Sequence, residues 1–85
     1  MTRYGQAVFK TMKIQVACFA TLSGYAPSTG ILEIHEGATP QDVISMLSIP
    51  PQEVRIIFVN GQNSGKDIIL KENDRLGIFP AIGGG

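Results

Sequence analysis

Apolar and polar residues alternate strictly from Lys13 onward, with Ile14, Val16, Cys18, Ala20 and Leu22 on one side and Lys13, Gln15, Ala17, Phe19 and Thr21 on the other. A period of two is what a strand shows when one of its faces lies on a core. The pattern therefore predicts a strand reaching Leu22, with Cys18 buried and the aromatic Phe19 on the solvent side. Turn-forming residues then fill Ser23 to Gly30 (SGYAPSTG). The run ILEIHE that follows predicts a second strand with Glu33 and His35 outward. So short a connection implies an antiparallel hairpin.

The period changes at Thr39-Pro40-Gln41-Asp42. Thr39 can cap a helix, Pro40 suits its first position, and Asp42 sits near the positive end of the dipole. Val43, Ile44, Met46 and Leu47 predict a core-facing stripe, and Pro50 and Pro51 require the helix to stop by Ile49. Val54 to Val59 (VRIIFV) predicts a strand too apolar for its faces to be told apart, closed by the turn residues Asn60-Gly61. Gln62 to Lys66 reads as polar loop, Asp67 to Leu70 as a short strand or extended bridge, and Lys71 to Asp74 as a further turn. The last strand is predicted from about Arg75 to Ala81, with Leu76 and Ile78 opposite Gly77 and Phe79, and Pro80 at the end of its pairing.

This order predicts an α+β domain: a mixed sheet of four to five strands with one main helix packed across one face. The first and last strands carry no edge device, so both are expected in the middle of the sheet as a parallel pair. Residues 1–11 show no sustained period and are expected to be a flexible N-terminal extension, with Met12-Lys13 resembling a second start. The domain is expected over residues 12–82, followed by a flexible tail, Gly83-Gly84-Gly85. Residues without Cβ give such a tail little intrinsic order and almost no width, which suits a terminus that threads into a narrow site.

Composition narrows the function. Seven basic and seven acidic residues cancel, so nothing favours nucleic acid or an anionic membrane as partner. A single cysteine, Cys18, allows neither an intramolecular disulfide nor a thiolate cluster, and its strand position makes it a small core residue. The lone His35 has no metal-ligand spacing around it. No metal and no bound cofactor are expected. No apolar run approaches the roughly 20 residues of a membrane span, and no secretory core is present, so a cytosolic location is expected. Neither a general base nor a nucleophile stands out, and the chain is not expected to be an enzyme.

Five segments, MKIQVACFATL, GATPQDVISML, IFVNG, ENDRLGIFPAIGG and the terminal glycines, occur in an order that resembles the β-grasp sulfur carriers. These include the small subunit of molybdopterin synthase and the sulfur carrier of thiazole synthesis. The resemblance covers Met12 to Gly85 and implies a ubiquitin-like fold. It further implies that a ubiquitin-activating-type adenylyltransferase uses ATP to adenylate the carboxylate of Gly85. Sulfur then gives a thiocarboxylate, used with a larger synthase subunit or another sulfur-acceptor enzyme. The family's last two glycines match Gly84 and Gly85, and Gly83 is one more.

The family's docking surface is an exposed apolar sheet face. By local motif this implicates Phe19 and Phe79, with Ile57, Val59 and Pro80 as further docking positions. The connection after the first strand is shorter than in the molybdopterin branch, whereas the FATL ending looks more like that branch; molybdopterin is thus favoured over thiamin. Two alternatives use the same fold: a ubiquitin-like modifier conjugated through Gly85, and a plain β-grasp interaction module.

Overall fold

The computed structural model describes residues 10–81. Most of the expected extension (residues 1–9), Ile82 and the tail Gly83-Gly84-Gly85 therefore lie outside the described residues. The first strand, β1, runs from Thr11 to Cys18 and alternates between exposed and buried at every residue. It begins inside the expected extension, and the carbonyl of Lys10 already accepts a bond from Glu36 N–H at 2.8 Å. It also ends four residues before Leu22. Phe19 is still extended and its N–H donates to Ile78 O at 3.1 Å, but Ala20 turns into the left-handed region at φ 53° and opens a 3₁₀ helix over Ala20–Tyr25. Leu22 is fully buried all the same. It reaches the core from a helical turn, which happens to continue the parity of the strand.

The second strand, β2 (Ile31–His35), forms the antiparallel hairpin with β1, pairing Met12 with Ile34 and Ile14 with Leu32. Glu33 and His35 are exposed. The helix α1 spans Pro40–Met46 and begins in a reciprocal capping box. Asp42 N–H donates to Thr39 Oγ1 at 3.2 Å, and Thr39 N–H donates to Asp42 Oδ2 at 3.0 Å. Two orphan donors of the first turn are thereby satisfied.

The helix stops three residues before the bound set by the prolines. Ser48 adopts φ 60°, its N–H donates to Ser45 O at 3.1 Å, and Ile49 N–H donates to Ile44 O at 3.0 Å. This pair of bonds is a Schellman ending with serine in the left-handed position where glycine is usual. The turn delivers Ile49 to the core at 2 % exposure and leaves Met46 outside at 49 %. Met46 is therefore not part of the core-facing stripe, which consists of Val43 and Ile44 with half-buried Leu47.

Strand β3 (Val54–Val59) follows a 3₁₀ turn at Pro51–Glu53. The segment expected as polar loop contains a short strand, β4 (Gln62–Ser64), paired antiparallel with β3. An edge strand of three residues that packs no face on a core has no reason to be apolar. The segment expected as a strand or bridge, Asp67 to Leu70, is instead irregular. It is held by Gln41 N–H to Lys66 O and Leu70 N–H to Ala38 O, each at 2.9 Å, and it buries Leu70.

The last strand, β5 (Arg75–Pro80), lies between β1 and β3 in the order β2-β1-β5-β3-β4. It is parallel to β1 and antiparallel to β3, so first and last strands are central as expected. One core closes beneath the sheet from Ile14, Val16, Ile57, Leu76 and Ile78 of the strands with Val43 and Ile44 of α1. No helix among the described residues is long and apolar enough to cross a membrane.

Candidate docking face and the approach to the C-terminus

The opposite face of the sheet carries no helix among the described residues. Its positions follow from the register. Val16 and Cys18 pair with Leu76 and Ile78 on the core side, so Ala17 and Gly77, which pair with each other, look outward. Phe58 pairs with Gly77, and Ile56 with Phe79 across a register shift between Val54 and Ile56. Ala17, Gly77, Phe58 and Phe79 line an open trough of about 810 Å³, bordered by Ile31 of β2 and by Lys13, Glu72 and Arg75 at one end.

Three phenylalanines stand at the other end. The rings of Phe19 and Phe79 stack with centroids 4.2 Å apart and planes within 4°, and Phe58 meets Phe79 edge-on at 5.4 Å and 88°. Both geometries suit the aromatic quadrupole. Phe19 remains 41 % exposed in this arrangement, and Ile31 and Ile56 are also exposed. An apolar surface on which aromatic rings are held in order yet left open to water is the kind of patch that marks a protein contact.

The ring positions are set by the backbone on either side. The left-handed turn at Ala20 ends β1 immediately after Phe19, and the bond from Phe19 N–H to Ile78 O fixes that residue alongside β5. At the start of β5, Asp74 accepts from Asn60 Nδ2 at 2.9 Å and from Lys71 N–H at 2.8 Å. Arg75 N–H donates to Asn60 Oδ1 at 2.9 Å, and Asn60 N–H donates to Arg75 O at 2.8 Å. This clamp holds the β3–β4 turn against β5. The strand then leads from the clamp past the aromatic cluster to Pro80 and towards the C-terminus.

Of the residues implicated from the sequence, Phe19 and Phe79 come together on the open face. Ile57, Val59 and Pro80 do not join them. Ile57 pairs with Ile78, is 4 % exposed and belongs to the core; Val59 pairs with Leu76 and packs half-buried against that core. Pro80 has the parity of Ile78 and is buried. Ile57 and Pro80 are therefore corrected from docking positions to interior ones, and Val59 to a half-buried position on the core side. Phe58 was missed because VRIIFV is apolar at five of six positions, so the strand's phase is decided by its pairing with β5. Gly77 was passed over as a residue without a side chain. Gly83, Gly84 and Gly85 lie outside the described residues.

Cys18 occupies the core side of β1, and desolvation raises its thiol pKa. A buried neutral thiol is a poor nucleophile. Among the described residues no cluster of three or more histidine, cysteine or acidic side chains could hold a metal ion.

The sequence profile of the ThiS family matches residues 16–85. No curated protein matches the sequence. Among solved structures, the chain is similar to a Pyrococcus furiosus protein assigned as molybdopterin converting factor, subunit 1. The two share 28 % identity, with 84 % of this chain and 99 % of that one covered and a TM-score of 0.62. The Haloferax volcanii HVO 2177 protein is similar at 22 % identity, with 96 % and 100 % covered and a TM-score of 0.69. SAMP1 from Haloferax volcanii is similar at 19 % identity, with 86 % and 99 % covered and a TM-score of 0.63. At those identities the two Haloferax structures share the fold, a β-grasp.

Proposed function

The chain belongs to the ThiS family, and from that membership we propose that it is a sulfur carrier whose working group is the carboxylate of Gly85. The observation that carries this reading is that the family match runs through to residue 85, so that it takes in the glycine tail together with the fold. Covalent geometry adds a limit. Gly85 is the sixth residue after Phe79, so its Cα lies no more than about 22 Å from that of Phe79. A partner seated on that face has the terminus within reach of its own active site.

The chemistry follows from the poor electrophilicity of a carboxylate. A carboxylate oxygen of Gly85 attacks the α-phosphorus of ATP, forming an acyl-adenylate and releasing pyrophosphate. Hydrosulfide then adds to the acyl carbon, the carbon–sulfur bond forms, AMP leaves with the electrons of the broken carbon–oxygen bond, and the sulfur gives up its proton. The resulting thiocarboxylate delivers sulfur to a cofactor precursor without free sulfide. ATP and the catalytic groups belong to the partner, a ubiquitin-activating-type adenylyltransferase; a larger synthase subunit or another acceptor enzyme receives the sulfur. The tail's part is to present the reacting carbon without side chains that would block a narrow channel.

The domain's part is recognition through Phe19 and Phe79. The molybdopterin branch is favoured over the thiamin branch by the likeness to the Pyrococcus furiosus converting-factor subunit and by the FATL ending of the first strand. Removal of Gly85 tests the reading. The truncated chain is expected to support no ATP–pyrophosphate exchange by the cognate activating enzyme while melting at the temperature of the full chain. Undiminished exchange by the truncated chain would overturn it. Isopeptide linkage of Gly85 to lysines of cellular proteins, rather than thiocarboxylate formation, would make the chain a ubiquitin-like modifier instead.

A further inference from the structure

We propose that Gly77 is the positioning residue of the docking face, the one place in the central strand pair where a missing side chain lets the aromatic plate lie flat on the sheet, with Phe58 as its buttress. The inference rests on the carrier reading above for its consequence, and on geometry for its cause.

A Cβ placed on Gly77 would stand 3.4 Å from Phe79 Cε1, 3.6 Å from Phe19 Cε2 and 3.8 Å from Phe58 Cβ. All three aromatic residues therefore converge over one backbone position. A methyl group there would just touch the rings, and any longer side chain would occupy the volume they fill. The position has no other reason to be glycine: it lies inside a strand with neighbours on both sides, where a glycine weakens the sheet and a side chain would strengthen it. Nor does it have the positive φ that Gly30, Gly37 and Gly61 require. The space above it is the remaining physical account.

Both rings of the stack depend on that space. Phe19 lies at the end of β1 and Phe79 in β5, and each ring comes down over the same glycine to stack on the other at 4.2 Å. Phe58 stands on the far side at 88° to Phe79 and blocks the ring from rotating away. Beside Gly77, its partner Ala17 keeps the trough floor equally low. The size of residue 77 thus sets the height of the plate above the floor. A partner shaped to this face reads the plate and the recess together.

A size series at residue 77 tests this with the full-length chain. For Gly77→Ala, Gly77→Val and Gly77→Leu, three quantities are measured: the KM and kcat of ATP–pyrophosphate exchange with the activating enzyme, the melting temperature, and the aromatic proton shifts of the free protein. Gly77→Ala is expected to stay within about twofold of the parent KM. Gly77→Leu is expected to raise KM by about tenfold or more with kcat retained, because the tail is untouched. The ring-current shifts of Phe19 and Phe79 should collapse in the same order. Phe58→Leu, which removes the edge contact without adding bulk, should raise KM in the same direction and so covers the case in which the leucine variant fails to fold. Unchanged KM across the folded members of the series, or a fall in kcat with KM constant, would overturn the proposal. If the parent chain itself supports no exchange, the carrier reading fails; the seat then stands or falls on the proton shifts alone.

Discussion

Ile78 and Phe79 are consecutive in β5 and face opposite ways, so exchanging each for alanine separates the fold from the function. Ile78 is fully buried between Cys18 of β1 and Ile57 of β3. Ile78→Ala deletes three buried carbons, about 2.4 kcal/mol of transfer free energy, and the cavity left behind brings the loss to about 3–4 kcal/mol. In a domain of this size that lowers the melting temperature by roughly 12–32 °C. Phe79 is half-buried and stands on the open face against Phe19 and Phe58. Its removal forfeits two ring pairs, about 1–3 kcal/mol together, and part of one ring's burial besides, so its cost to stability approaches that of Ile78→Ala. Binding separates the two. Phe79→Ala is expected to raise KM for the activating enzyme by about tenfold or more, as loss of a central aromatic anchor does. Ile78→Ala, assayed well below its melting point, should keep KM close to the parent value. Circular dichroism melts and pyrophosphate-exchange kinetics on the same preparations give both numbers. An unchanged KM for Phe79→Ala, or a KM raised equally by Ile78→Ala, would refute the assignment of the two faces.

Three further outcomes are expected. Thr39→Ala removes one half of the capping box and should cost about 1 kcal/mol by chemical denaturation. Ser48→Gly relieves a left-handed φ of 60° and should stabilise the chain by about 0.5–1 kcal/mol, since the relief exceeds glycine's cost in the unfolded state. Cys18 should react slowly with a thiol reagent in the folded chain and rapidly in denaturant. Because burial raises its folded pKa, its contribution to stability is full below the ordinary thiol pKa and is lost as pH rises through the raised value. Equilibrium unfolding of the parent and Cys18→Ala should therefore show a stability gap that narrows on the alkaline side.

Much of this architecture was legible because single residues carried unambiguous chemistry. The alternation from Lys13 identified the core face of β1 and put Phe19 outside, and Thr39, Pro40 and Asp42 marked the helix start that the capping box confirms. Elsewhere the local signal pointed the wrong way. Leu22 kept the parity of a strand while sitting in a 3₁₀ turn, because Ala20 adopts a backbone conformation that alanine seldom takes. Gln62 to Ser64 looked like loop since an edge strand needs no apolar residues, and Asp67 to Leu70 looked like strand though only Leu70 is buried there. For the docking face the sequence supplied Phe19 and Phe79, but not Phe58. An apolar run shows no phase of its own, so only the family resemblance implicated Ile57 and Val59, and pairing with Ile78 and Leu76 turns Ile57 into the core and leaves Val59 half-buried on the same side. Gly77 illustrates the limit most plainly: the meaning of an absent side chain depends on which rings come to lie above it.

On the proposed function, the carboxylate of Gly85 becomes a thiocarboxylate. Incubating the full chain with its activating enzyme, ATP and a sulfide donor, then measuring the intact mass and that of the C-terminal peptide, tests it directly. A mass gain equal to replacing one oxygen by one sulfur is expected, confined to the peptide ending in Gly85 and absent without ATP. An unchanged peptide, in a reaction where the same enzyme converts a known carrier, would contradict it.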